Sequence, residues 1–267
     1  MVKLINLFLL FITFSYSQET VFNEQDFFKN MQESYYSLNT TDKNNFTVLL
    51  TNLRTEQFAA EQWKNSEIFP LQLIWFSSDR MFLSEQGVPA LNDSAKNVYT
   101  NLVMDLKKQI TGVLFDLKRF YFNGVYSSIS SDYSLKINDD VVQIDFSTNV
   151  ENDTTFFSYF FGKNGLCLKI ETVTPANNLR VETYPNFKIV KTKWLITGWE
   201  VQMSKNGEIY SGLTIKLNNT FVSDVWVPQD MIITVQKTEA KGTTFSDLVK
   251  FRNFLFNQPL QFIEQSK

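Results

Sequence analysis

The chain has 267 residues, 43% of them hydrophobic and 20% charged, and a formal net charge of -3. This is enough apolar material for one domain with a buried core, and it excludes a compositionally disordered chain and a strongly basic, phosphate-binding one. There is no His and one Cys, which excludes Ser-His-Asp and Cys-His catalysis, His-ligated zinc or haem, an internal disulfide and a CxxC redox pair.

The chain opens with Met1-Val2-Lys3, then an apolar run over residues 4–14 broken only by Asn6 and Thr13, then Ser15-Tyr16-Ser17. A positive start, a short apolar stretch and small residues at the cleavage positions predict a secretory signal peptide over residues 1–17. Cleavage near Ser17 leaves a mature chain of residues 18–267, exported to a periplasm or the extracellular space. The run is shorter than the roughly 20 residues a bilayer span requires. No transmembrane segment is expected in the mature chain. The Ser-Tyr-Ser-Gln ending resembles leaders of Bacteroidetes-type bacteria. Sequons begin at Asn39, Asn45, Asn92, Asn152 and Asn218; in a chain this rich in Asn, Ser and Thr they read as chance rather than as glycan acceptors.

The first half of the mature chain, 23–123, is helix-rich. Residues 24–38 place Phe27, Phe28, Met31, Tyr35 and Leu38 at helical spacing behind Asn23, a suitable cap. Residues 46–53 alternate as a strand, 54–64 read as a short helix, and 71–76 with 80–83 read as a hairpin around Ser77-Ser78-Asp79. The clearest helix spans 94–122. Val98, Leu102, Leu106, Ile110, Val113, Leu114, Leu117 and Tyr121 mark its apolar stripe, and Lys96, Asp105, Lys107, Lys108, Asp116, Lys118 and Arg119 its opposite, charged face. Asp93 or Ser94 is the expected cap and Asn123-Gly124 the stop. At 1.5 Å per residue this helix is about 43 Å long.

The second half, 130–257, reads as strands. Pairs at 133–137/141–146, 155–161/166–173, 179–184/187–196, 200–203/208–217, 221–227/231–238 and then 247–256 are punctuated by turn signals, two of them Pro185-Asn186 and Pro228-Gln229-Asp230. Connections this short require antiparallel neighbours. The expected fold is a single α+β domain over 18–267: a large curved antiparallel sheet of about eight to eleven strands, half-open as a β-barrel, with the long amphipathic helix packed on or inside it.

No residues pair at catalytic spacing. Asp139-Asp140, Lys163-Asn164-Gly165 and Lys205-Asn206-Gly207 are turn chemistry, not an acid pair or a phosphate loop. Asp224 and Asp230 are too scattered for a metal site. Cys167 lies in an apolar strand, where a thiol is inert. No catalytic residue, metal or cofactor is assigned, and the chain is not expected to be an enzyme. The unusual feature is the aromatic content, 15% with 26 Phe. Residues 155–161 carry aromatics at both parities, Phe157, Tyr159 and Phe161 against Phe156 and Phe160, so both faces of that strand are expected to be covered. Either these rings form a filled aromatic core under the helix, or the concave face lines an apolar cavity. In the second case Leu106, Ile110, Leu114, Phe157, Tyr159, Phe161, Trp194, Trp199 and Trp226 are the lining.

A signal peptide, an amphipathic N-terminal helix and a long antiparallel meander resemble the periplasmic lipoprotein carriers (the LolA, LolB and LppX type). The likeness lies in residues 130–257, in the order Trp194-Leu-Ile-Thr-Gly-Trp199, 209–217, Trp226-Val-Pro228, 232–235 and Val249-Lys-Phe-Arg-Asn-Phe254. In that family an unclosed barrel with a helical lid encloses acyl chains; the resemblance implies that the 94–122 helix is the lid or plug. No acyl-contacting residue aligns, and the lipobox of the anchored members is missing. The expected function is non-enzymatic binding or carriage of a lipid, acyl chain or other apolar ligand. The alternative is a ligand-free cell-envelope protein with a structural or interaction role and a protein partner. No nucleic-acid partner is expected.

Overall fold

The computed structural model describes residues 22–77, 79–150, 153–237 and 243–259. The expected leader with its cleavage site, the sequon at Asn152, Ser78 of the first hairpin turn and the turn expected over 239–242 lie outside the described residues.

Among the described residues three α-helices, α1 (Glu24–Ser34), α2 (Leu53–Trp63) and α3 (Asp93–Leu117), accompany one sheet. Its strands among the described residues are β1 (Asn45–Asn52), β2 (Leu71–Phe76), β3 (Arg80–Glu85), β4 (Ser134–Asn138), β5 (Val141–Val150), β6 (Asp153–Gly162), β7 (Cys167–Thr174), β8 (Leu179–Val190), β9 (Lys193–Lys205), β10 (Glu208–Val222), β11 (Val225–Lys237) and β12 (Thr243–Phe256). Their order is β3-β2-β1-β12-β11-β10-β9-β8-β7-β6-β5-β4, and the sheet is not closed. Neighbouring strands are all antiparallel. The meander expected from the second half is present. The first half adds three strands to it, through β1 on β12 in a register running from Phe46 opposite Phe256 to Asn52 opposite Val249.

Two expected turns are not turns. Pro185 and Pro228 lie inside β8 and β11, and the reversals fall later at residues 191–192 and earlier at 223–224. Pro228 borders a register shift at Asn218/Asn219 that leaves Gln229 unpaired, and Pro185, in register with Trp199, lies beyond Thr183, the last residue of β8 paired to β7. A bulge is where a strand tolerates a residue with no N–H to donate. Lys191 (φ 56), Ser223 (φ 48) and Asp224 (φ 66) take the positive φ angles of tight hairpins. Within β9, Gly198 has φ 152, and a Cβ there would lie 2.1 Å from the Ile215 carbonyl oxygen. The close approach of β9 and β10 at this point therefore depends on the missing side chain.

α3 also departs from expectation at both ends. Its cap is Asn92, whose Oδ1 accepts from the Ala95 N–H at 2.9 Å, rather than Asp93 or Ser94. Its regular hydrogen bonding stops at Leu117, and Lys118–Phe122 form one π-helical turn. Four successive side chains, Arg119, Phe120, Tyr121 and Phe122, are buried there, so this end of the helix is enclosed on all sides rather than along one stripe. Near the start the buried stripe is Ala95, Tyr99 and Val103, while Val98 is 52% exposed. Tyr99 is drawn inward by the rings of Phe58 and Trp63, each 5.7 Å away on α2.

The buried side chains of α3 belong to the same apolar core as one face of the sheet. That inner face carries Val48, Leu73, Val142, Ile144, Ile170, Val201, Ile215, Met231 and Val249, all buried. In β6, Tyr159 and Phe161 are buried and Phe157 partly so, whereas Phe156 is half exposed and Phe160 lies under the Lys169 ammonium, 4.4 Å from its ring centroid. The expectation that both faces of β6 are covered is thus corrected: one face is core, and the aromatics of the other face meet water or a Lys stem.

Candidate functional site: an open groove above a buried ion pair

Asn23 starts α1 by accepting from the Gln25 and Asp26 N–H groups, and Glu24 and Asp26 sit in the first turn, where acidic residues suit the helix dipole. Phe27 and Met31, one turn apart, face the core. Phe28 turns the other way. Its ring lies 5.8 Å from Tyr126 and 5.2 Å from Tyr133. These tyrosines come from the stretch 124–133, which follows the π turn. Gly124 takes φ 82, and Val125–Ser128 form a 3-10 turn in which the Ser127 and Ser128 hydroxyls donate back to the Gly124 and Val125 carbonyls. The Tyr133 hydroxyl donates to Glu24 Oε1 at 2.6 Å. That bond, ahead of any burial, pushes the Tyr133 phenol up to about 12, so it remains a donor at neutral pH.

Between α1 and this stretch lies an open groove of about 1240 Å³. Phe22, Phe28, Tyr126, Ile129 and Tyr133 supply its apolar lining, and Asn23, Glu24, Gln25, Lys29, Gln32 and several serines its polar lining. A smaller hollow of about 320 Å³ shares Gln32, Tyr126 and Ser127 with it and reaches Met31 and Tyr35.

Ser128, which follows the groove residues Tyr126 and Ser127, leads into a partly buried polar cluster. The Ser128 hydroxyl meets the Tyr159 hydroxyl at 3.0 Å. Arg119 is 5% exposed; its guanidinium lies 5.7 Å from the Tyr159 ring, 4.4 Å from Phe115 and 3.6 Å from the Asp116 carboxylate. Burial holds the Asp116 carboxyl above its ordinary range, and Arg119 and the Trp199 indole N–H offset this only in part. Of the two residues expected on the wet face of the helix, Arg119 is therefore interior and Asp116 partly buried. The Cys167 thiol is buried and pushed up to about 12 by that burial, the inert state expected for it. The Tyr35 hydroxyl bridges the same strand, donating to the Gly165 carbonyl at 2.9 Å and accepting from the Cys167 N–H at 2.6 Å.

The nine residues named as a cavity lining are distributed through the packing. Leu106, Ile110, Tyr159, Phe161 and Trp199 are buried, and Leu114, Phe157, Trp194 and Trp226 partly so. Phe161 touches Phe27, Trp199 touches Phe120, and Trp194 packs on Tyr35. None of the nine lines the groove. Phe157 borders a separate, mostly polar hollow of about 570 Å³ with Lys136, Gln143 and Asp145. The groove residues went unread because Tyr126 and Tyr133 sit in a Ser-rich stretch without periodicity. The Arg119-Phe-Tyr-Phe run was the one available sign of a helix end buried on all sides. Among the described residues no three potential metal-ligating side chains gather, and no helix is long and apolar enough to cross a membrane.

No family model, curated protein or solved structure matches the chain.

Proposed function

We propose that this is an exported, non-enzymatic binding protein, and that its ligand, with an apolar body and a polar end, sits in the groove between α1 and residues 124–133. The observation that carries this reading is the groove's lining. Phe22, Phe28, Tyr126, Ile129 and Tyr133 offer apolar surface beside Glu24, Lys29 and Gln32. Burial of apolar surface contributes about 25 cal/mol per Å², so a few rings and one acyl segment suffice for binding without a charged contact. The half-barrel of the lipoprotein carriers, bent around α3, fits the shared core of α3 and the inner sheet face. In this reading α3 is a plug, and the ligand lies beside it rather than under it.

A second reading, a ligand-free envelope protein with a partner, is favoured by the burial of Leu106, Ile110, Tyr159, Phe161 and Trp199, which leaves the inner face filled. Native mass spectrometry and dye uptake separate the two. The chain expressed with its own leader in a bacterial periplasm is expected to carry extractable lipid, or to take up 1-anilinonaphthalene-8-sulfonate that a long-chain fatty acid displaces. Phe28→Asp should abolish that uptake. A bare mass together with no dye binding overturns the binding reading and leaves the envelope role.

A further inference from the structure

We propose that the tips of the β8–β9 and β10–β11 hairpins form a docking surface for an anionic lipid bilayer. Both reversals, at 191–192 and 223–224, lie at the same end of the sheet, because the connection between β9 and β10 turns at the other. Ile189, at the first tip, is 70% exposed, the highest value of any large apolar side chain among the described residues. Phe221, at the second, is 49% exposed and lies 5.3 Å from the Trp226 ring. The Lys188 ammonium sits 5.2 Å from that ring and ties the two tips together.

Charge on these tips runs against the rest of the chain. The net charge is -3, yet the first tip reads Lys188-Ile-Val-Lys191-Thr-Lys193. None of these lysines makes an ion pair among the described residues; the one acid on the two tips is Asp224. Lysines around the exposed Ile189 and Phe221 side chains, with the partly buried Trp226 ring beside them, match an interface with acyl chains below and phosphates above. The platform is also held in place. The Trp226 N–H donates to the Tyr36 hydroxyl at 2.7 Å, and the Trp226 carbonyl accepts from the Tyr121 hydroxyl at 2.9 Å. A fixed platform loses little freedom on docking.

The test is sedimentation of the mature chain with vesicles of phosphatidylcholine carrying phosphatidylglycerol, against vesicles of phosphatidylcholine alone. Binding to the anionic vesicles is expected, weakened by salt. The triple variant Lys188→Gln, Lys191→Gln, Lys193→Gln should bind about a hundredfold more weakly, at about tenfold or less per lysine, and Ile189→Ser with Phe221→Ser about tenfold more weakly. A charge-matched control, Lys205→Gln, Lys216→Gln, Lys237→Gln, should bind as the wild type does. Absence of vesicle binding, or equal loss in the control, overturns the proposal. The groove residues are untouched by these variants, so dye uptake reads the binding function separately.

Discussion

The end of α3, packed on the inner side of the sheet, and the outer face of strands β7 and β8 carry charges of different consequence. On the inner side the buried Arg119 guanidinium meets the partly buried Asp116 carboxylate at 3.6 Å, between the Tyr159 and Phe120 rings and the exposed Phe115. On the outer side Lys169 and Arg180 bridge Glu171 and Glu182 at 2.9 to 3.2 Å, with the Arg180 side chain half exposed. The outer contacts are shorter and more numerous, yet each is expected to hold the structure less, because the Arg180 guanidinium is half exposed and that of Arg119 is buried. Water screens them and competes for each partner. The inner pair has no such alternative, so removing one member strands the other. Distance alone is a poor guide to what an ion pair contributes; burial decides.

The largest test of this contrast is Arg119→Ala, which should cost about 3–5 kcal/mol in chemical denaturation. Replacing both partners, Asp116→Leu with Arg119→Met, should recover most of that loss, because no charge is left stranded. A double variant as unstable as the single one would mean that Arg119 acts through its packing under Phe115 and Tyr159. Rings on β6 give a second pair of comparable size. Phe161→Ala should cost about 3–5 kcal/mol, while Phe156→Ser on the outer face should stay within about 0.5 kcal/mol.

The two faces should also differ in the sign of their pH dependence. The folded state holds the Asp116 proton more tightly than the unfolded chain does, because burial raises that carboxyl. Relative to Asp116→Asn, wild-type stability should therefore fall as pH rises from about 3 to 6. For Glu182, partial burial is outweighed by Lys169 and Arg180, and the carboxyl lies below its ordinary value. Its contribution is present above the unfolded value and is lost as pH falls through the folded one. Relative to Glu182→Gln, wild-type stability should rise over the same range. Melting curves of the three proteins across that range check both signs, and parallel profiles would erase the distinction. The smallest effect is Arg180→Ala, about 0.5 kcal/mol or less after screening, measured by denaturant midpoint.

Much of the fold was legible from neighbouring residues. Asn23 and the Phe27/Met31 spacing located α1, the alternation of 46–53 located β1, and the hairpin read over 71–76 and 80–83 located β2 and β3. The turn at Ser204-Lys205-Asn206-Gly207 placed β9 against β10. These features succeed because capping, alternation and tight turns are satisfied within a few residues. The misreadings share a cause too. Pro185 and Pro228 are turn residues by local rule, but Pro228 sits beside a bulge and Pro185 lies past the end of the β7 pairing. Val98 fits the helical stripe, yet Tyr99 is buried instead, because Phe58 and Trp63 await it on α2. The groove stayed hidden since Phe28, Tyr126 and Tyr133 meet across about a hundred residues of chain.

Local chemistry was therefore enough for an antiparallel meander, a long amphipathic helix and an interior rich in rings. Each follows from hydrogen bonds and side-chain periods closed over a short stretch. Long-range pairing alone decided that β1 would lie beside β12, that Arg119 would be buried in a π-helical turn, and that α1 and residues 124–133 would leave a groove between them. Those outcomes depend on which distant surface arrives to bury a side chain, and the free energy of that burial outweighs the preference any residue expresses among its neighbours.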